Sequence, residues 1–377
     1  MMRFVAAGAA QGLVAAVARE AGVEVEGSFG AVGAMLDKFK SGEACDVLIL
    51  TNAQIAELTA RSLVIPETSA DLGSVPTAIA VRNESELPDV SNEAALRAAL
   101  VAADAIYFPD PARATAGIHF AKVLDQLGIR EKVEGRIRTH PNGATAMRAM
   151  AEAGGNPIGC TQATEILATP GVRLVQPLPK GFDLDTVYTA AVAATSSQAK
   201  SAAGLVARLA GEAGRAARIK AGFRGYVIRP ADGGDAAEVR DVVRRVLAEY
   251  GLEPDPRGVD ADLEDLDVSY TARGGLFDVA VGSDGALAGC CGIYPVDSSM
   301  CELRKMYLLP EARGHGIGGR LLRRALAFAR GRGFRRVELE TASELKEAIA
   351  LYAGAGFQPI PRAHLAARCD QAFALDL

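Results

Sequence analysis

Cys301-Glu302-Leu303-Arg304-Lys305-Met306-Tyr307-Leu308-Leu309-Pro310-Glu311-Ala312-Arg313-Gly314-His315-Gly316-Ile317-Gly318-Gly319-Arg320-Leu321-Leu322 decides how the second half of the chain is read. A strand runs into a glycine cluster that opens a helix. Glycines in that position let main-chain N–H groups converge on an anion at the positive end of the helix, the geometry of a pyrophosphate loop. Two pyrophosphate readings compete. Gly314, Gly316 and Gly319 satisfy G-x-G-x-x-G, and Glu338 and Glu340 follow at about the distance of a ribose-binding acid. A dinucleotide fingerprint, however, sets its first glycine almost at the strand end inside a βαβ unit. Here Pro310-Glu311-Ala312-Arg313 intervenes and a hairpin precedes the strand, which argues against a dinucleotide site.

Working outward, residues 277–281 and 286–294 flank Gly282-Ser283-Asp284-Gly285, a turn signal between two apolar runs, and form that hairpin. A helix is expected at 236–250, followed by an acidic stretch to residue 267. The alanine-rich helical stretch 199–223 gives way at Arg224-Gly225 to a new strand, Tyr226-Val227-Ile228-Arg229-Pro230. The boundary between domains 1–223 and 224–377 is placed there. Before it, strands are expected at 3–7, 23–27, 47–50, 77–81, 105–108, 157–160, 172–177 and 187–194. Helices are expected at 13–20, 33–41, 55–61, 94–102, 115–127, 145–153 and 199–217. Such alternation implies an α/β domain with a mostly parallel sheet, and a ligand site at strand ends and helix N-termini.

A chain of 377 residues exceeds what one core usually serves, so two domains are expected on length as well. With 49% hydrophobic and 23% charged residues it is able to bury two sizeable cores. A net charge of -5 supplies no field for nucleic acid or anionic lipid. The six cysteines have no zinc-site or disulfide spacing, so no metal is expected. Met1-Met2-Arg3-Phe4-Val5-Ala6-Ala7-Gly8 runs straight into a strand and leaves no room for a signal peptide, and no apolar run is long enough to span a bilayer. A cytoplasmic protein acting on small molecules, without membrane or nucleic-acid partners, is the expectation.

The glycine segment resembles the acetyl-coenzyme A motif of the GNAT acyltransferase superfamily, whose Arg/Gln-x-x-Gly-x-Gly/Ala pattern is met by Arg313, Gly316 and Gly318. Glu302-Leu303-Arg304-Lys305-Met306-Tyr307 before the loop and Leu351-Tyr352-Ala353-Gly354-Ala355-Gly356-Phe357 near the end fit the same family over about 150 residues. The resemblance implies an α+β GNAT domain with a mixed, mostly antiparallel sheet, and acetyl-coenzyme A as cosubstrate. It implies that Arg313 and the amides of Gly314, His315, Gly316, Ile317, Gly318 and Gly319 hold the coenzyme pyrophosphate. The main chain of Met306, Tyr307 and Leu308 is expected to pair with the pantetheine arm beside a bulge that splays the strand.

An amine is protonated at neutral pH, so acetyl transfer needs a base to free its lone pair and an acid to meet the departing thiolate. By the resemblance Tyr352 is the acid; Glu302 is the best carboxylate for the base, and Asp297 and Ser298 could also face the amine. The acidic stretch 249–267 would favour a cationic acceptor. Arg320, Arg323, Arg324, Arg330 and Arg332 are expected to form mainly a solvated basic face.

Ser28-Phe29-Gly30-Ala31-Val32-Gly33-Ala34, Thr115-Ala116-Gly117-Ile118-His119-Phe120-Ala121-Lys122 and Val187-Tyr188-Thr189-Ala190-Ala191-Val192 resemble molybdate-binding members of the type II periplasmic binding proteins. This implies an α/β two-lobed domain with crossover strands near residues 74–82 and 185–194. The cleft positions carried over are Gly8 (or Ala9), Val32, Ala116, Thr161 and Tyr188. Gly8 and Val32 lack the hydroxyls that oxyanion binders place there, which argues against molybdate. The function expected is an acetyl-coenzyme A-dependent N-acetyltransferase acting on a small or peptidic amine, fused to a domain that senses a ligand or presents substrate. The alternative is a non-enzymatic ligand sensor or small-anion binder with an inactive acyltransferase domain.

Overall fold

The computed structural model describes residues 1–361, 365–366 and 368–377. It divides into two units, Met1–Asn52 with Asp71–Gly225, and Ala53–Ala70 with Tyr226–Leu377.

The first unit is built on a nine-stranded sheet. Its order is Val25–Gly30, Met2–Ala7, Val47–Thr51, Asp185–Val192, Ala70–Arg82, Ile158–Gln162, Ile106–Pro109 and Ile137–His140, with Val172–Pro177 also pairing with Ala70–Arg82. Val47-Leu48-Ile49-Leu50 is buried throughout, as a strand covered on both faces must be. At each end the strands are parallel. In the middle, Asp185–Val192 and Ala70–Arg82 run antiparallel to Val47–Thr51 and Ile158–Gln162, so the sheet is less uniformly parallel than strand–helix alternation implies. These two long strands are the crossovers. Helices Glu93–Ala102 and Gly143–Ala151 are started by Asn92 and Asn142, whose side chains accept from the amides of Ala95 and Thr145. The expected helix 199–217 is two helices, Ala199–Ala210 and Glu212–Ala221, broken at Gly211, whose extended backbone lies outside the helical range. Strand Ile137–His140 has no apolar alternation and was not anticipated.

The second unit has a seven-stranded mixed sheet in the order Val227–Pro230, Leu276–Val281, Leu287–Pro295, Met300–Leu308, Arg336–Thr341, Gln371–Asp376, Gln358–Pro359. All neighbours are antiparallel except Met300–Leu308 with Arg336–Thr341. Helix Ile317–Gly331 packs with one apolar cluster, helix Ala236–Glu249 with another. Cys291 belongs to the first and Cys290 to the second, as alternation along a strand requires. Both are buried small hydrophobes whose thiols burial pushes upward, which leaves them unreactive. Arg324 departs from the expected basic face. It is buried, and donates to both carboxylate oxygens of Asp278 at 2.9 Å and to the Ser69 carbonyl at 2.7 Å, tying the helix to its own sheet.

Candidate functional site

The site begins with a defect in the strand Met300–Leu308. Cys290 faces Tyr307 and Gly292 faces Arg304, so Cys291 alone opposes both Lys305 and Met306. That is a β-bulge, and Lys305 carries its strain at φ 53°, a left-handed conformation rare for a long side chain. On its other edge the strand pairs with Arg336–Thr341 only through Met300, Cys301 and Glu302. Beyond Glu302 the two parallel strands part, and the sheet opens into a V.

Charge holds the bulge in place. The Lys305 ammonium, buried with its side chain 4% exposed, lies 2.9 Å from Asp260 and 3.2 Å from Asp262, and donates to the Val259 carbonyl at 2.5 Å. Asp260 also accepts from Arg368 at 2.5 and 2.7 Å and from the Asp255 amide at 2.8 Å. Burial alone would raise the Asp260 carboxyl, but these donors hold it down at about 2. Asp262 accepts from the Tyr270 hydroxyl at 2.7 Å. The acids expected to draw a cationic acceptor are therefore in part already countered, and Glu249 is likewise bound to Arg313 at 2.7 and 2.8 Å.

At the far end of the strand, Gly314 and Gly316 adopt φ 78° and 70°, which is why these positions are glycine. Gly316 is the N-cap of helix Ile317–Gly331, and no side chain caps it. The first helical bond runs from Arg320 to Gly316, leaving the amides of Ile317, Gly318 and Gly319 without intrahelical acceptors. No acidic residue occupies this first turn, so its partial positive charge is uncompensated there. A methyl group at Gly318 would lie 3.3 Å from Leu351 and 3.4 Å from Leu308, so the glycine keeps the groove open. Arg313 braces the loop through the Leu308 carbonyl at 2.9 Å as well as through Glu249. His315 is exposed beside Tyr226, with ring centroids 6.0 Å apart.

A cavity of about 380 Å³ fills the V, and Glu302, Met306, Tyr307 and Tyr352 line it together with Asp262, Arg304, Lys305, Glu340 and Arg368. A smaller groove of about 120 Å³ shares Met306 and Tyr307 and continues along Leu308, Arg313 and Gly318. Both expected catalytic residues thus face one space. Tyr352 comes from helix Lys346–Gly354 and is 5% exposed, its ring 5.8 Å from Phe357. Burial pushes its hydroxyl far above the ordinary range, so it stays protonated at neutral pH. Glu302 sits where the strands part and accepts from Arg304 at 2.5 and 2.7 Å, while Arg304 stacks 3.8 Å over Tyr294. Asp297 is turned to its own loop, accepting from the Ser299 and Met300 amides, and is absent from the residues around the cavity. Sequence reasoning missed Lys305 and Arg368, and it weighed Glu340 only as a ribose-binding acid of the dinucleotide reading, not as a cavity residue. A lysine at the bulge position was the available signal for the first; Arg368 has none.

In the first unit, Gly8, Val32, Ala116 and Tyr188 line one small cleft. Thr161 joins them indirectly, donating at 2.6 Å to Glu165, a cleft residue the sequence did not single out. Among the described residues, no cluster of three or more His, Cys, Asp or Glu could hold a metal, and no helix is long and apolar enough to cross a membrane.

Residues 4–224 match the family of bacterial extracellular solute-binding proteins, and residues 241–357 match the acetyltransferase (GNAT) family. An uncharacterized N-acetyltransferase of Escherichia coli (strain K12) is 43% identical over 131 residues, 33% of this chain and 78% of that protein. An aconitate isomerase of a Pseudomonas species is 28% identical over 181 residues, 47% of this chain and 66% of that protein. Among solved structures, the periplasmic molybdate-binding protein of Azotobacter vinelandii aligns with 59% of this chain and 98% of its own, at 18% identity and a TM-score of 0.48.

Proposed function

The chain belongs to the bacterial extracellular solute-binding protein family through its first unit and to the GNAT N-acetyltransferases through its second, and from that premise we propose that it moves an acetyl group from acetyl-coenzyme A to an amine in the V-shaped cavity. The observation that carries the proposal is the parting of Met300–Leu308 from Arg336–Thr341 just beyond Glu302, next to a bulge and a side-chain-free helix N-terminus. The donor set fits the coenzyme. Three amides without intrahelical acceptors at Ile317, Gly318 and Gly319 suit a pyrophosphate, and the unpaired edge past Glu302 suits an amide-bearing arm.

Bound acetyl-coenzyme A supplies an activated thioester. The residues of the chain do the rest: Tyr352, kept protonated by its burial, gives its phenolic proton to the departing sulfur. Glu302, at the mouth of the V, takes the proton of the amine, directly or through water, with Arg304 fixing its orientation. Arg313 and the loop from Gly314 to Gly319, His315 included, position the coenzyme, and Met306, Tyr307 and Leu308 line its path. A cavity lined by both acids and bases suits an acceptor that carries a polar or charged group besides its amine. The cytoplasm is the proposed compartment, since five of the six thiols are buried and free and the sixth is half-buried and free. Coenzyme A release measured over a panel of small and peptidic amines tests the proposal. Turnover with at least one class supports it; binding of the coenzyme with silence toward every amine favours the sensor instead.

A further inference from the structure

The cleft of the first unit is ringed by helix starts. Val32–Lys40 and Thr115–Gln126 begin at Ala31 and Ala114, which have no side chain to cap them, and Gly143–Ala151 begins beside them. Such a ring offers a seat for negative charge. In this chain that charge is covalently attached. Glu165, on the short helix Ala163–Leu167, is buried, and that burial pushes its carboxyl above the ordinary range; against it, the carboxylate accepts from the Thr161 hydroxyl at 2.6 Å and from the amides of Ala144, Gln162 and Gly143, which favour the charged form.

The surrounding glycines fit this occupant. A methyl group at Gly143 would fall 2.0 Å from both Glu165 Oε2 and Thr161 Oγ1, and one at Gly8 would fall 2.8 Å from Glu165 Oε1. One carboxylate oxygen thus fills the start of helix Gly143–Ala151 while the other reaches toward the end of strand Met2–Ala7. Among the described residues, no lysine, arginine or histidine lines the cleft to counter a second anion. Gln162 adds a repulsive element: its Nε2 is committed to Thr186 at 3.2 Å, leaving Oε1 as a buried acceptor without a donor. The water-accessible space that remains in the cleft is small, about 20 Å³, enough for a water.

We propose that the cleft is self-occupied: the Glu165 carboxylate is its resident anion, seated where a free oxyanion or carboxylate would bind, so that the unit closes on its own side chain rather than on a solute. The missing hydroxyls at Gly8 and Val32 follow, because the ligand brings its contacts by covalent attachment and needs none from those positions.

Thermal unfolding and calorimetry of the full chain test this. The wild type gives no saturable heat with molybdate or sulfate and no shift in melting. Glu165→Ala melts lower, and millimolar formate or acetate restores it saturably toward the wild-type temperature while leaving the wild type unmoved. Glu165→Gln, nearly the same shape without the charge, also melts lower and gains little from formate. Saturable binding of molybdate or sulfate by the wild type overturns the proposal. So does formate that stabilises Glu165→Ala no more than the wild type, or Glu165→Gln that melts with the wild type. Should Glu165→Ala fail to fold, the wild-type titrations and the glutamine variant still decide.

Discussion

Replacing Lys305 by methionine keeps the length of the side chain and removes the ammonium that pins the bulge. The buried charge then leaves two carboxylates in different states. Asp260 retains Arg368, at 2.5 and 2.7 Å, whereas Asp262 keeps Arg304 at 3.6 Å and the Tyr270 hydroxyl at 2.7 Å on Oδ2 and loses its 3.2 Å ion pair on Oδ1. Breaking one side of a buried pair costs about 3–5 kcal/mol, most of it the uncompensated partner. For a unit of this size each kcal/mol moves the midpoint by about 2–4 °C, so the second unit should melt roughly 6–20 °C lower. The left-handed backbone at residue 305 loses its tether at the same time, and the KM for acetyl-coenzyme A should rise more than kcat falls, because the bulge shapes the coenzyme slot. Adding Asp262→Asn to the methionine variant removes a carboxylate whose only remaining cation among the described residues, Arg304, is 3.6 Å away, and should recover part of the loss, a non-additivity expected of residues in contact. Differential scanning calorimetry of the single and double variants, with steady-state kinetics, reads all three effects. A Lys305→Met protein that melts with the wild type and keeps its KM would refute the reasoning.

Tyr352→Phe should lower kcat by about 10²-fold or more, the usual worth of a positioned acid, with little change in the KM for acetyl-coenzyme A; and because burial holds the wild-type hydroxyl protonated, kcat should not fall through the ordinary tyrosine range near pH 10 on account of Tyr352, as a pH–rate profile would read. Asp260 is depressed in the folded state, so its stabilisation is complete above the ordinary 3.8 and is lost as pH falls toward about 2; urea unfolding across that window should show an acid loss that Asp260→Asn, already destabilised at neutral pH, lacks. Gly316→Ala must place a side chain at φ 70°, at a cost of about 1–2 kcal/mol, and should weaken coenzyme binding in a direct titration without altering the pH profile.

Local patterns made much of this molecule legible. The glycine run after an alternating strand located the loop and its helix, and the second glycine motif located Tyr352, because backbone conformation at Gly314 and Gly316 restricts the residue type there. The bulge was expected near Met306, but its strained residue is Lys305, identified by backbone geometry that no alternation rule reports. The acidic stretch 249–267 read as a uniform wall since the partners of Asp260, namely Lys305 and Arg368, lie 45 and 108 positions away along the chain. Arg324 read as surface charge for the same reason: its partner Asp278 is on strand Leu276–Val281, 46 positions earlier in the chain. Glu165 was invisible because its seat is assembled from Gly143, Ala144 and Thr161, and a lone glutamate in a short helix carries no periodic signal. Residues 53–70 gave no hint of grouping with the second unit, since their helix pattern is continuous with that of the first half.

Isothermal titration of coenzyme A into the full-length chain is the direct test, because the proposal assigns the parted strand and the side-chain-free helix start to one ligand. Saturable binding at one site per chain is expected, weakened by Gly316→Ala and left alone by Glu165→Gln. Absence of saturable heat with either coenzyme A or acetyl-coenzyme A, in a chain that melts cooperatively, would contradict it.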